Sequence, residues 1–114
     1  MKDRIRQVNE VFKQELGKIL LREIEMPEGT VVTLTRVEAS GNLQQAKVYI
    51  SVVPDERGEK VLKLLGQNIY DIQQSLNERL KMRPVPKIQW VSETATAQAQ
   101  RVEEILDKIK KEVR

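Results

Sequence analysis

Residues 78–91, ERLKMRPVPKIQWV, join the end of a predicted helix to the start of a predicted strand. Pro84 and Pro86 end the helical pattern, because proline lacks a backbone N–H and disfavours helical geometry in the residue before it. The strand-like residues KIQWV follow, with Ile88 and Trp90 on one face. The segment therefore predicts a helix that is followed, after a short connection, by a β-strand, which is the third in the chain.

The helix before this segment is predicted over about residues 59–80. Its apolar side chains recur every three or four positions, and they are Val61, Leu62, Leu65, Ile69, Ile72, Leu76 and Leu80. Gly66 lies inside the pattern and costs about 1 kcal/mol relative to alanine. A continuous helix and a helix broken between residues 66 and 71 both fit this pattern.

Two strands are predicted before this helix, over residues 30–39 and 46–53. Both are rich in β-branched residues. In the second strand Val48, Ile50 and Val52 occupy every second position, which is the period of a β-strand. Residues 40–44, SGNLQ, are turn formers, so the two strands should pair as an antiparallel hairpin.

Amphipathic helices are predicted at both ends of the chain. Residues 4–24 carry an apolar face, and Asp3 is the expected N-cap. A last helix is predicted after residue 100 from the spacing of Val102, Ile105, Leu106, Ile109 and Val113. We therefore divide the chain into a domain over residues 1–92 and a helical extension over residues 93–114, which either packs on the domain or docks on a partner.

Together these elements predict a single α+β domain with the order helix, strand, strand, helix, strand, followed by the C-terminal helix. The helical connection between the second and third strands is a crossover, so at least one parallel pairing is expected. The helices should cover one face of a three-stranded sheet. The other face is either open or covered by the C-terminal helix.

The composition excludes several classes of function. The 114 residues include no cysteine and no histidine, which removes disulfides, thiolate zinc sites and the commonest general base. The serines therefore lack a histidine to activate them, and we expect no enzyme activity, metal or cofactor. No apolar run approaches the roughly 18 residues of a membrane span. We expect a soluble, cytoplasmic, monomeric protein.

Four positive charges lie within nine residues at the joint between helix and strand: Arg79, Lys81, Arg83 and Lys87. This basic run suits a phosphate backbone, although a solvated surface loop would have the same composition. Arg36 and Lys47 lie on polar faces of the first two strands, where they either contact RNA or form a cross-strand ion pair, for instance with Glu38. Arg6 is a further candidate, although the acids of its helix favour a solvated face.

The few aromatic residues give little indication of base stacking. Phe12 and Trp90 occupy core positions in the predicted helix and strand. Tyr49 lies on the strand face opposite Val48 and Ile50, where it either stacks on a base or covers the sheet.

Four segments in this order resemble the bacterial ribosome-binding factor A family, and the likeness spans residues 6–106. The first two are the opening helix from Arg6 and the strand VTLTRVE at residues 32–38. Residues 42–51, NLQQAKVYIS, are similar to the family's D-L-x-x-A-x-V-Y-V-S segment. Residues 76–90 resemble its L-x-x-x-L-x-x-R-x-x-P-x-L-x-F segment.

The resemblance implies a KH-like fold of the second type. It also implies a non-enzymatic assembly factor that binds the free small (30S) ribosomal subunit and assists late maturation and processing of 16S rRNA. Departure from the subunit is linked in the family to a GTPase or to other assembly factors. The alternative is a protein-docking module that uses the open sheet face or the C-terminal helix. The salt dependence of binding distinguishes the two hypotheses, because the affinity of an RNA contact falls steeply with salt concentration and that of an apolar protein contact does not.

The chain departs from the family at its expected helix break. Asn68, Ile69 and Tyr70 stand where many members have Ala-x-Gly, and Gln73 replaces the arginine that follows. The break is therefore made differently or lies nearer to Gly66. No two glycines are three positions apart, so the G-x-x-G grip of KH domains is absent from the sequence. RNA binding would then depend on backbone and shape.

Overall fold

The computed structural model describes residues 2–93, which form an α+β unit in the predicted order. Its elements are α1 (Lys2–Glu23), β1 (Val31–Ala39), β2 (Gln45–Val53), a short 3₁₀ turn (Asp55–Arg57), α2 (Gly58–Gln67), α3 (Ile69–Arg79) and β3 (Lys87–Ser92). The predicted C-terminal helix lies outside the described residues. It stays a prediction, as does the boundary between residues 92 and 93.

The three strands of the described region form one mixed sheet in the order β1-β2-β3. β1 and β2 are antiparallel, with Val31 opposite Val53, whereas β2 and β3 are parallel, with Ala46 opposite Ile88. Both the predicted hairpin and the predicted parallel pairing are confirmed. A bulge interrupts the first ladder at Thr35, where the register shifts between Leu34 and Arg36.

The helices pack on one face of this sheet. The central strand β2 directs alternate side chains into the core, and helices α1, α2 and α3 cover them. The fully buried core residues include Phe12, Leu16, Ile19, Val48, Ile50, Val61, Leu65, Ile72 and Leu76. No described helix covers the opposite face, which carries Lys47, Tyr49 and Ser51 of β2 and which we call the open face.

The helix predicted over residues 59–80 is broken at Asn68, inside the predicted range of 66–71. The backbone N–H and the Nδ2 amide of Asn68 both donate to the carbonyl of Leu64, at 3.2 and 2.8 Å. The Asn68 carbonyl then accepts from the N–H of Ile72 at 3.0 Å. The Asn68 side chain thus helps to end α2, whereas its backbone carbonyl accepts the first hydrogen bond of α3. Gly66 lies within α2.

Asp3 is not the N-cap that we predicted, because α1 already begins at Lys2. Asp3 lies in the first turn, where a carboxylate still interacts favourably with the positive end of the helix dipole.

Gln73 joins α3 to the outer edge of β3. The backbone N–H of Lys87 donates to the carbonyl of Gln44, just before β2, at 2.9 Å. Successive residues of a strand direct their backbone groups to opposite sides, so those of Pro86 and Ile88 face away from β2. There the N–H of Ile88 donates to Oε1 of Gln73 at 2.9 Å, and Nε2 of Gln73 donates to the carbonyl of Pro86 at 3.2 Å. One side-chain amide therefore provides the hydrogen bonds that a neighbouring strand would provide.

We expect Gln73→Ala to lower the free energy of unfolding by about 1–3 kcal/mol, because it leaves partly buried backbone groups of Pro86 and Ile88 unpaired. Urea unfolding measures this effect. Gln74→Ala is the matched control, since Gln74 is exposed in the same helix and the substitution carries the same change in helix propensity. Equal stability of the two variants would contradict the role of Gln73.

Candidate nucleic-acid interface

Arg79, the last residue of α3, contacts α1. Its Nη1 donates to Oε2 of Glu15 at 3.3 Å, and the two side chains are 30% and 23% exposed. A second contact between the same helices joins the Ser75 hydroxyl to the Glu23 carboxylate at 2.8 Å. The first cation of the basic run therefore helps to hold α1 against α3.

The environment of Glu15 lowers the pKa of its carboxyl group. Partial desolvation raises this pKa, but the hydrogen bond from Arg79 and the charge of Lys18, whose Nζ lies 3.4 Å from Oε1, together outweigh it. A carboxyl group with a lowered pKa in the folded protein favours the fold in its ionised form. The pairing of Glu15 thus depends on pH.

Arg83 organises the connection between α3 and β3. Its Nη1 donates to the carbonyl of Leu80 at 2.7 Å and to that of Met82 at 2.6 Å. Leu80 is the residue that follows α3, and Met82 lies in the connection, so the guanidinium group pairs backbone carbonyls beyond the end of the helix. Arg83 is exposed, but one of its terminal nitrogens is occupied by the backbone of its own chain.

Lys81 and Lys87 are exposed, and neither makes a side-chain hydrogen bond or an ion pair with any of residues 2–93. Lys87 begins β3 opposite Gln45, and Lys47 of β2 lies opposite Gln89. Residues two positions apart on paired strands share a face, so Lys47 and Lys87 are diagonal neighbours on the open face. The sheet therefore brings together two cations that are 40 residues apart in the sequence.

Two shallow depressions lie beside these lysines. One has a volume of about 270 Å³ and is lined by Glu38, Ala39, Ser40, Gln45, Lys47 and Gln89. The other has a volume of about 260 Å³ and is lined by Gln44, Gln45, Pro84, Val85 and Lys87. Gln45 lines both, so they form one surface that combines two lysines with amide donors. The sequence patterns did not single out Gln45 or Gln89, although both alternate with core residues as Lys47 does.

Arg36 is paired on the open face. Its Nε lies 3.5 Å from Oε1 of Glu38 and 3.9 Å from Oε2 of Glu93, and its guanidinium stacks over the Tyr49 ring at 4.0 Å. The Tyr49 hydroxyl donates to the other oxygen of Glu38 at 3.2 Å. Arg36 thus pairs with Glu38 of its own strand, whereas the expected cross-strand ion pair would join Glu38 to Lys47, which lies opposite it on β2. Lys47 makes no ion pair within the described part of the chain.

These contacts distinguish between the two interpretations of Tyr49. Its ring is 9% exposed and is covered by Arg36, so it covers the sheet in this structure. Phe12 is fully buried and Trp90 packs partly buried against the core, as we predicted. Arg6 is exposed on α1 and has no ion pair among the described residues.

The comparisons with known proteins agree with this fold. A family model described as ribosome-binding factor A matches residues 4–106. The crystal structure of ribosome-binding factor A from Thermus thermophilus aligns with a TM-score of 0.68 and 18% identity, covering 77% of this chain and 94% of that one. An NMR structure of a Thermotoga maritima protein aligns with a TM-score of 0.64 and 24% identity, covering 77% of this chain and 85% of that one.

A third similar structure comes from a complex. It is a homology model of the Thermus thermophilus factor fitted into a cryo-EM map of that factor bound to the 30S subunit. It aligns with a TM-score of 0.63 and 22% identity, covering 73% of this chain and 88% of that one. At these identities the structural likeness establishes a KH-like fold, and the assignment of a family depends on the match over residues 4–106.

We expect Glu15→Gln to destabilise the protein above the unfolded-state glutamate pKa of about 4.3, and the difference from the wild type to shrink as the pH falls below it. The reason is that protonation of Glu15 removes its interaction with Arg79 and Lys18 in the wild type. Urea unfolding at a series of pH values measures this difference. In an Arg79→Gln background the pH dependence should be smaller, and a difference that is constant with pH would contradict the assignment.

Proposed function

The chain belongs to the ribosome-binding factor A family, and from this we propose that it binds the free small ribosomal subunit and assists late maturation and processing of its 16S rRNA. The observation that carries the proposal is the family match, which spans nearly the whole chain. The similar Thermus thermophilus factor, which has been fitted into a map of a 30S complex, supports the choice of subunit.

We place the RNA contact on the open face around Lys47 and Lys87. Both lysines are exposed and unpaired within residues 2–93, and the two depressions between them hold amide side chains that can donate to phosphate oxygens. Lys81 and Arg83 in the preceding connection would extend this surface. Arg79 and Arg36 contribute less in this proposal, because their guanidinium groups already contact carboxylates.

The proposed action is binding without catalysis. Such a surface presents positive charge and hydrogen-bond donors but no arrangement that distinguishes one base from another, which suits recognition of an RNA backbone in a defined shape.

No helix in the described residues is long and apolar enough to cross a membrane. A cytoplasmic location, a monomeric state and an assembly GTPase as a partner stay predictions.

We expect Lys47→Gln/Lys87→Gln to weaken binding to the free small subunit and to reduce the slope of log affinity against log salt by roughly 1.4–1.8, since each lost phosphate contact contributes about 0.7–0.9. Co-sedimentation with purified small subunits over a salt series measures both quantities. Large subunits and whole ribosomes test whether binding is selective.

Lys60→Gln/Lys63→Gln is the matched control, because both lysines are exposed on α2 and the change in net charge is identical. Unchanged affinity and slope in a folded Lys47/Lys87 variant would reject the open face as the contact. If the wild-type protein sedimented with no ribosomal particle, the assembly-factor function itself would be rejected in favour of protein docking.

A further inference from the structure

The side chain of Arg36 extends across the open face. It starts on β1, and its guanidinium group lies over the ring of Tyr49 on β2, with Cζ 4.0 Å from the ring centroid. Its Nε lies 3.9 Å from Oε2 of Glu93, the residue that follows β3. One side chain therefore reaches from the first strand to the end of the third, with its plane resting on the sheet.

Two carboxylates hold the guanidinium group in this position. Oε1 of Glu38 lies 3.5 Å from Nε of Arg36, and the other oxygen of Glu38 accepts a hydrogen bond from the Tyr49 hydroxyl at 3.2 Å. The Glu93 carboxylate accepts from the Thr35 hydroxyl at 3.2 Å. The cation and the ring beneath it thus share one carboxylate, and the second carboxylate is anchored to β1.

The β-bulge at Thr35 makes this arrangement possible. Successive side chains of a regular strand point to opposite faces of the sheet. Thr35 and Arg36 are adjacent, yet both approach the Glu93 carboxylate, because the register shifts between Leu34 and Arg36. Bulges are known to redirect side chains in this way, often beside functional sites.

The outer face of the Arg36 guanidinium group is accessible. Tyr49 covers the inner face and is itself only 9% exposed, whereas the Arg36 side chain is 52% exposed. The carboxylates approach the guanidinium group at its Nε edge. What remains open is a flat, delocalised surface, and guanidinium planes of this kind stack on nucleic-acid bases.

The charges around this plane indicate which ligand it suits. Glu38 and Glu93 disfavour an anionic group directly on the plane, so the ligand there should be flat and uncharged. Lys47 lies opposite Glu38 and two residues from Tyr49, which places an exposed cation about 7 Å along the strand. A nucleotide combines the two parts that this surface calls for, since its base is uncharged and its phosphate is attached through the sugar.

We propose that the outer face of Arg36 is a stacking platform for an unpaired base of single-stranded RNA, with a phosphate of the same strand at Lys47. Every base has a π-face, so the platform accepts any base but requires that it be unstacked from a duplex. This inference rests on the proposed RNA contact of the open face and adds the kind of RNA that it binds. An aromatic side chain of a partner protein is the competing ligand.

Arg36→Lys tests the platform, because lysine keeps the positive charge but lacks the plane. The probes are an end-labelled RNA strand of about eight nucleotides and a strand of equal length made of stable abasic nucleotides. We expect the wild type to bind the strand with bases roughly three- to fivefold more tightly. In Arg36→Lys this ratio should fall towards one, with the affinity for the abasic strand unchanged. Fluorescence anisotropy at low salt measures the affinities.

Arg22→Lys is the matched control, since Arg22 is exposed on α1, on the other side of the sheet, and the charge is again retained. Equal affinity of the wild type for the two strands, or a preference for bases that persists in a folded Arg36→Lys variant, would overturn the platform alone. In those cases the RNA contact would still be supported if Lys47→Gln/Lys87→Gln weakened binding of the abasic strand. If the wild type bound neither strand, the platform and the RNA contact on the open face would both be rejected.

Discussion

The parallel pairing of β2 with β3 is the constraint on which the rest of this fold depends. Parallel neighbours cannot be joined by a tight turn, so the chain must cross over between them, and here α2 and α3 form that crossover. Because the crossover packs on the same face of the sheet as α1, the opposite face stays free of described helices. The register of this pairing also places Lys87 diagonally next to Lys47. One pairing thus creates both the buried core and the polar surface that we assign to RNA.

The basic residues around this surface divide by side-chain type. Arg36, Arg79 and Arg83 all hold partners within the fold: a carboxylate and a ring, a carboxylate, and two backbone carbonyls. A guanidinium has several donors in a fixed plane and is suited to such contacts. The lysines at positions 47, 81 and 87 have no partner among the described residues, and a flexible ammonium can follow an irregular phosphate backbone. These three arginines therefore hold contacts within the fold, whereas the three lysines hold none within residues 2–93.

Local signals in the sequence predicted the order of elements, the hairpin and the parallel pairing, because β-branching, periodicity and prolines act over a few residues. The exact position of the helix break could not be predicted, because Gly66 is the stronger signal in the sequence. The hydrogen bond from the Asn68 side chain to the carbonyl of Leu64 is visible only in the structure. The sequence marks Gln73 only as a departure from the family's arginine, and its role follows from where residues 86–88 lie. The pairing of Arg79 could not be read from the basic run, since Glu15 is 64 positions away.

The amide of Gln73 has a consequence for how other chains can approach. An unpaired strand edge is a template on which a foreign strand can add, either in a regulated complex or in aggregation. Gln73 occupies the outward-facing groups at the start of β3, and at the opposite border of the sheet the bulge at Thr35 distorts β1. At these two places the fold therefore discourages growth of its sheet by strand addition. The faces of the sheet, by contrast, present side chains and no free backbone groups, so their chemistry depends on the sequence alone.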